Sequence, residues 1–146
     1  MRVKCLYLEN FDTCVTDQGI KLKGLLPGEV VEIDPKNPYF LDKEIKERSR
    51  YRVHVKCPIF KECGGCDLLH VAYDEQCAMK EANVKQLFEK AGIKPVFLPI
   101  VKNDSPLFYR HKVVLSATTK KKRLRLGLYR ENTREVIPFI DCKIHH

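Results

Sequence analysis

The sequence lacks any apolar run long enough to cross a membrane. A helix that spans a bilayer requires about 20 consecutive apolar residues, and no stretch of this 146-residue chain approaches that length. The N-terminal stretch MRVKCLYLEN is too polar for a secretory signal peptide. Internal repeats and low-complexity tracts are also absent. We therefore expect a cytoplasmic globular protein, with one ordinary domain or two very small ones and no membrane partner.

The sequence also lacks the features of a disulfide-stabilised protein. It contains seven cysteines, which is an odd number, and it has no secretory signal. The cytosol keeps thiols reduced, and clustered thiolates in that compartment usually bind metal. The sequence therefore argues against a disulfide framework and favours a metal site.

Acidic residues are scarce in the last third of the chain. Residues 101–146 contain eleven Lys and Arg but only four Asp and Glu, whereas residues 1–56 contain eleven and nine. A basic surface concentrated in one segment favours a polyanionic partner, most simply nucleic acid, because counterion release from phosphates drives such binding. A surface that merely improves solubility is the alternative interpretation of the same charge.

Short strands are predicted in the first 34 residues. RVKCLYL (2–8) and LPGEVVEID (26–34) are rich in strand-forming residues, and Gly and Pro residues supply turns between them. This pattern predicts a small barrel-like sheet.

One helix and a second sheet are predicted in the rest of the chain. Apolar residues at helical spacing indicate a helix over 73–91, and Gly92 ends it. Strands are predicted at 112–119, 123–130 and 134–140, with Lys120–Lys122 at the tip of a hairpin. We expect an antiparallel meander on which the helix packs, and hence the α+β class.

The segment CPIFKECGGCDLLH, residues 57–70, has the strongest chemical signal. Cys57, Cys63 and Cys66 lie within ten positions, with Gly64 and Gly65 between the last two. Glycine reaches backbone angles closed to other residues and lets amide N–H groups approach sulfur. We predict a closed four-cysteine site, for which Cys142 is the best candidate as fourth ligand.

The spacing of these cysteines leaves zinc and an iron–sulfur cluster open. Zinc sites usually have two short Cys-x-x-Cys pairs, whereas one pair with an offset and a distant cysteine suits a cuboidal cluster better. Cys5, Cys14 and Cys77 are interpreted as small buried hydrophobic residues. His70 is expected to pack near the site without acting as a ligand.

The ordered motifs of the chain resemble those of a known family. LLPGE (25–29), CPIFKECGGC (57–66), YRHK (109–112), GLY (127–129) and CKI (142–144) are similar to the RNA uracil-5-methyltransferases, which act on uridines in transfer RNA and large-subunit ribosomal RNA. The resemblance implies an RNA-binding TRAM domain, which is an OB-type barrel, over 1–52. It also implies a central domain over 53–146 with a 4Fe-4S cluster, whose ligands map to Cys57, Cys63, Cys66 and Cys142.

The resemblance further implies a C-terminal Rossmann-like domain that binds S-adenosylmethionine. In that domain a cysteine attacks C6 of a flipped-out uracil before the methyl group moves to C5. The 146 residues contain no part of it and no Gly-rich cofactor loop. We therefore expect no catalytic residue here and no methylation by this chain alone.

An RNA interface is expected to combine basic side chains with an aromatic surface for base stacking. Arg123 and Arg125 alternate with leucines that take the other strand face. The candidate RNA contacts are Arg50, Tyr51, Arg52, Arg110, Lys112, Arg123 and Arg125.

The preferred hypothesis is the RNA-binding, cluster-bearing part of a methyltransferase acting on 23S rRNA or tRNA, as a monomer. A stand-alone zinc-bound nucleic-acid adaptor is the alternative. A small electron carrier is disfavoured because such carriers are typically acidic.

Overall fold

The described part of the chain is an α+β protein, as the sequence predicts. The computed structural model describes residues 1–120, 122–139 and 141–146. Within these ranges lie one α-helix and two antiparallel sheets, one of five strands and one of three. No described helix is long and apolar enough to cross a membrane. Lys121 of the predicted hairpin tip and Ile140 of the predicted last strand lie outside the described residues.

Residue contacts divide the chain into two compact units. The first unit comprises Met1–Val53 and His70–Leu98, and the second comprises His54–Leu69 and Pro99–His146. The helix therefore belongs to the first unit, whereas the sequence led us to expect it on the meander, which lies in the second unit. The assignment of 1–52 and 53–146 to separate domains stays a prediction.

The first unit is built on a five-stranded antiparallel sheet. Its strands are β1 (Arg2–Leu8), β2 (Thr13–Thr16), β3 (Lys21–Lys23), β4 (Val30–Glu32) and β5 (Ile45–Glu47), in the spatial order β3-β2-β1-β4-β5. The predicted strands of the first 34 residues are confirmed. The many charged residues around β5 do not indicate a strand, and Ile45 is the buried residue of β5. The OB-type topology of a TRAM domain stays a prediction.

The core of the first unit lies under the inward face of this sheet. Alternate residues of β1 are buried, so Val3 and Cys5 point inward while Lys4 and Leu6 are exposed. A fully buried aliphatic side chain stabilises the fold by about 1.5–3 kcal/mol. The buried cluster consists of Val3, Cys5, Cys14, Leu22, Leu25, Val31, Ile33, Phe40 and Ile45.

Cys5 and Cys14 form a disulfide, which corrects the expectation that the cysteines stay reduced. Their Cα atoms are 5.8 Å apart, because β1 and β2 are antiparallel neighbours and both side chains point into the same core. Both residues are buried, as predicted. The cysteine count and the absence of a signal peptide do not reveal that two neighbouring strands bring these side chains together.

The helix α1 spans Tyr73–Lys90, in agreement with the prediction. The start of α1 is held by the segment that follows β5, because the Ala72 N–H donates to the Tyr51 carbonyl at 2.8 Å. The Gln76 side chain also donates to the Val71 carbonyl at 2.9 Å. Among the helical residues, Cys77 is the buried one.

The second unit contains the predicted meander. Its strands are β6 (Ser116–Lys120), β7 (Arg123–Tyr129) and β8 (Val136–Pro138), in the order β6-β7-β8. Strand β6 starts later than the sequence predicted. Gly127 lies in the middle strand, where a Cβ atom would be 1.8 Å from the Ile137 carbonyl oxygen. Only glycine therefore permits this close approach of β7 and β8.

Candidate metal centre and nucleic-acid interface

The cysteine loop, residues 57–66, is folded by successive turns. The Phe60 N–H donates to the Cys57 carbonyl at 3.4 Å, and the Cys63 N–H donates to the Ile59 carbonyl at 2.8 Å. The Gly65 N–H then donates to the sulfur of Cys63 at 3.3 Å. A Cβ atom on Gly65 would be 3.2 Å from that sulfur, so glycine leaves room for the amide–sulfur contact that the sequence predicts.

The C-terminal segment is held by pairing with residues 108–110. The Phe108 N–H donates to the Lys143 carbonyl at 2.9 Å, and the Arg110 N–H donates to the Ile144 carbonyl at 2.8 Å. The His146 N–H returns a bond to the Arg110 carbonyl at 3.0 Å. This pairing, with the buried side chain of Ile144, fixes the backbone next to Cys142.

All four predicted metal ligands border one cavity in the second unit. Cys57, Cys63, Cys66 and Cys142 line a volume of about 170 Å³, and each is partly buried. The fold thus brings the remote Cys142 to the other three cysteines. Their role as ligands stays a prediction. Within the described residues, no three or more His, Cys, Asp or Glu side chains are placed to hold a single metal ion.

Two thiols of this cavity, those of Cys63 and Cys66, have raised pKa values, which favour the neutral form. Burial raises the pKa of Cys66 to about 11, and the neighbouring Cys142 and Cys63 add to this effect. Burial also raises the pKa of Cys63, while the Gly65 N–H acts in the opposite direction. A metal centre bound here would ionise the thiols and release protons.

The donor set of this cavity fits an iron–sulfur cluster. Its chemical donors are four thiols, and the Gly65 amide already points at one of the sulfurs. A cuboidal cluster offers a separate iron to each cysteine, so its ligands surround a volume. A single zinc ion instead requires every sulfur at about 2.3 Å from one point. Ile59, Phe60 and Leu128 supply apolar walls that would limit access of water.

Two of the predicted RNA contacts border the same cavity. The side chains of Arg110 and Lys112 are exposed and also line the cysteine cavity. Arg110 is close enough to lower the pKa of Cys66, against the larger effect of burial. Their positive charges would therefore offset the negative charge of a thiolate site, in addition to any contact with RNA.

The strand β7 presents Arg123 and Arg125 as exposed side chains. Arg125 lies opposite Thr118 in the ladder with β6. The alternate residues Leu124 and Leu126 are 70% and 49% exposed. Both faces of β7 are thus exposed over residues 123–126, and the arginine face is available for a polyanion.

Arg50 and Tyr51 form a local pair in the first unit. The guanidinium of Arg50 lies 4.7 Å from the centre of the Tyr51 ring, and its Nη2 donates to the Tyr51 hydroxyl at 2.5 Å. This hydrogen bond raises the pKa of Arg50. The exposed Arg50 can contact a phosphate, whereas Tyr51 is half-buried.

Arg52 has a structural role, which corrects its prediction as an RNA contact. Its side chain is 3% exposed and pairs with Glu29, which is fully buried. The two nitrogens Nε and Nη2 donate to the two carboxylate oxygens at 2.7 and 2.6 Å, and Nη2 also donates to the Gly24 carbonyl at 2.6 Å. A guanidinium engaged in this way is not available to a phosphate.

Arg130 contacts the cysteine loop, although no sequence motif marks it. Its guanidinium pairs with Glu62 at 2.7 Å and with Glu135 at 2.8 Å. Glu62 precedes a predicted ligand by one position, but the fold alone brings Arg130 to it. The excess of basic residues in 101–146 was the only signal that could have drawn attention to this residue.

The chain is similar to curated RNA methyltransferases over most of its own length. It is 34% identical over 137 residues to an uncharacterized RNA methyltransferase of Bacillus cereus and 33% identical over 132 residues to one of Halalkalibacterium halodurans. It is 32% identical over 130 residues to the 23S rRNA (uracil(1939)-C(5))-methyltransferase RlmD of Vibrio parahaemolyticus. No family model matches the chain.

These alignments include 88%, 84% and 84% of this chain, respectively. They include 30%, 28% and 30% of the three relatives. The chain therefore spans about a third of the length of the curated relatives that it matches.

Proposed function

We propose a function from the premise that this chain is a homologue of RNA methyltransferases, which its similarity to them over most of its length establishes. In this proposal the chain is the RNA-binding and cluster-bearing part of an S-adenosylmethionine-dependent RNA (uracil-C5) methyltransferase that acts on 23S rRNA. Chemistry at the uracil would belong to a part of the enzyme that the 146 residues do not include. S-adenosylmethionine would supply the methyl group there.

The observation that carries the proposal is the meeting of four cysteines at one cavity. Cys57, Cys63, Cys66 and Cys142 would hold a 4Fe-4S cluster, and the Gly65 N–H would donate to one of the sulfurs. The cluster, when bound, would supply a four-point cross-link between the cysteine loop and the C-terminal segment. Arg110 and Lys112 would offset its negative charge.

The RNA-binding part of the proposal is supported by exposed basic side chains. Arg123 and Arg125 present two guanidinium groups on one face of β7, and the segment 101–146 has a large excess of basic residues. Guanidinium groups recognise phosphates through paired hydrogen bonds. Arg50 offers another exposed cation in the first unit. We propose that these residues bind the RNA backbone in the cytoplasm.

Reconstitution of the chain tests the cluster directly. The purified chain would be incubated anaerobically with ferrous iron, sulfide and a thiol reductant, desalted, and assayed for iron, acid-labile sulfide and visible absorbance. We expect about four irons and four sulfides per chain and a broad charge-transfer band. One zinc per chain without sulfide would instead support the zinc-bound adaptor and would overturn the cluster.

Cys142, the predicted ligand that is remote in sequence, provides the most informative variant. Cys142→Ser removes a thiol from the cavity, so we expect the variant to lose most of its iron and its visible band. Cys77→Ser is the matched control, because Cys77 lies on the helix of the first unit and does not line the cavity. Equal iron contents in the two variants would exclude Cys142 as a ligand.

A further inference from the structure

We infer that Arg130 is a positioning residue that fixes the cysteine loop against the connection between β7 and β8. Its effect on a bound cluster rests on the proposed function, whereas its effect on the loop does not. Arg130 does not line the cavity, so it would act through the residues that it holds.

Three ionic groups meet at this point of the second unit. The Nη1 atom of Arg130 lies 2.7 Å from a carboxylate oxygen of Glu62, and its Nε atom lies 2.8 Å from a carboxylate oxygen of Glu135. Glu135 belongs to the β7–β8 connection itself, and its carbonyl also accepts the Arg130 N–H at 2.8 Å. The pair with Glu62 is the one that reaches the cysteine loop.

Backbone contacts run beside the ion pairs. Cys63 forms an isolated antiparallel bridge with Arg130. The Glu131 N–H donates to the Glu62 carbonyl at 3.0 Å, and the Gly64 N–H approaches the Tyr129 carbonyl at 3.5 Å. The cysteine loop is therefore paired with the end of β7 through an isolated bridge and flanking backbone contacts. The ion pair selects its register, because moving the loop by one residue would direct Glu62 away from Arg130.

The contact of Arg130 with two carboxylates explains why a guanidinium suits this position. The nitrogens of a guanidinium point in different directions, so one side chain can bond carboxylates from two segments. Glu62 also places a negative charge next to Cys63, where thiolates would form on metal binding. Arg130 offsets that charge and so favours a negatively charged site.

Release of iron from the reconstituted chain tests the role of Arg130 toward the cluster. Loss of visible absorbance would be followed after addition of a chelator under anaerobic conditions. We expect Arg130→Ala and Glu62→Gln each to accelerate the loss by about two- to fivefold, as befits a partly exposed ion pair. The double variant should be no faster than either single variant, because both remove the same contact.

A matched variant separates this contact from general effects of charge. Arg134→Ala removes an exposed arginine from the same connection. It should release iron at the wild-type rate. Wild-type rates in Arg130→Ala and Glu62→Gln, or effects that multiply in the double variant, would overturn the role toward the cluster.

Amide hydrogen exchange of the metal-free chain tests the loop contact independently of any cofactor. We expect the Glu131 and Cys63 amides to exchange faster in Arg130→Ala and Glu62→Gln than in the wild type or Arg134→Ala, with amides of β1 unchanged. Unchanged exchange at both positions would refute the positioning role. If the wild type binds no iron and sulfide, the cluster proposal fails, while this exchange comparison still decides the inference.

Discussion

The buried pair of Glu29 and Arg52 is the most demanding single-residue feature of the first unit. Removing two charges from water is costly unless each finds full compensation. Here the Glu29 carboxylate accepts two bonds from the Arg52 guanidinium and one each from the Leu26 and Ser49 amides. The pair therefore connects the turn before β4 with the segment that follows β5.

Removal of one partner should destabilise this unit strongly. We expect Arg52→Ala to lower the free energy of unfolding by about 3–5 kcal/mol, because the Glu29 carboxylate would stay buried without its counterion. Urea denaturation followed by circular dichroism would measure the change. Arg50→Ala is the control, since Arg50 is exposed and its loss should have little effect. Similar midpoints for the two variants would contradict the structural role of Arg52.

The position of a single side chain could be predicted from the sequence for the cysteines but not for Arg52. The fold brings Cys142 to the same cavity as Cys57, Cys63 and Cys66, while their role as metal ligands stays a prediction. Arg52 was misassigned because nothing local distinguishes a buried arginine from an exposed one. Glu29 lies far from it in sequence, and only the tertiary fold reveals their pairing.

At the level of elements, Gly127 determines how closely two strands can approach. We expect Gly127→Ala to destabilise the second unit by about 1–3 kcal/mol or more, because the new Cβ atom would overlap the Ile137 carbonyl oxygen at 1.8 Å. Gly64→Ala is the matched control, as its Cβ atom would lie 3.4 Å from the nearest atom, the Glu131 Cα. Thermal unfolding would compare them, and equal stability would exclude the steric explanation.

The arginine face of β7 should determine how RNA binding responds to salt. Loss of two phosphate contacts on a single strand lowers the slope of log affinity against log salt by about 0.7 for each contact. We therefore expect Arg123→Ala/Arg125→Ala to weaken RNA binding and to reduce that slope by roughly 1.4. Filter binding across a salt series would measure both quantities.

The control for this experiment is Lys90→Ala/Lys94→Ala, which removes the same charge from exposed positions outside the basic segment. It should leave the slope nearly unchanged. If both double variants lower the slope equally, net charge and not the arginine face would explain RNA binding.

Local sequence patterns predicted where the helix and strands lie more reliably than they predicted which unit each element belongs to. The helix and the meander appear where periodicity and turn residues indicate them. The apolar stripe predicts a buried helix face, but Cys77 is the buried residue of α1, and Val84 and Leu87 are 44% and 59% exposed. The helix α1 belongs to the first unit, and its start is bonded there through the Ala72 N–H and the Tyr51 carbonyl. No spacing in the sequence reveals this contact.

At the scale of the whole molecule, buried apolar residues are unequally divided. The hydrophobic cluster lies entirely in the first unit. The buried hydrophobic residues described in the second unit are Leu68, Ile137 and Ile144. So small a core provides little stability by itself, and a metal centre that binds only the folded form would add stability to it.

Metal removal should therefore affect the two units differently. We expect hydrogen exchange in 54–69 and 99–146 to become much faster in the metal-free chain, while 1–53 and 70–98 keep their protection. Exchange mass spectrometry of the reconstituted and metal-free chains would test this. The Cys142→Ser variant should resemble the metal-free chain throughout, and a uniform loss of protection in both units would contradict the expectation.

The long interval between the cysteine loop and Cys142 has a consequence for biosynthesis. A ribosome completes residues 57–66 well before it reaches position 142, so the nascent polypeptide carries three neighbouring sulfurs for some time without the fourth. The cavity can close only after the 108–110 segment and its C-terminal partner have both emerged. Loading of any inorganic centre into the complete site must therefore follow translation of this region.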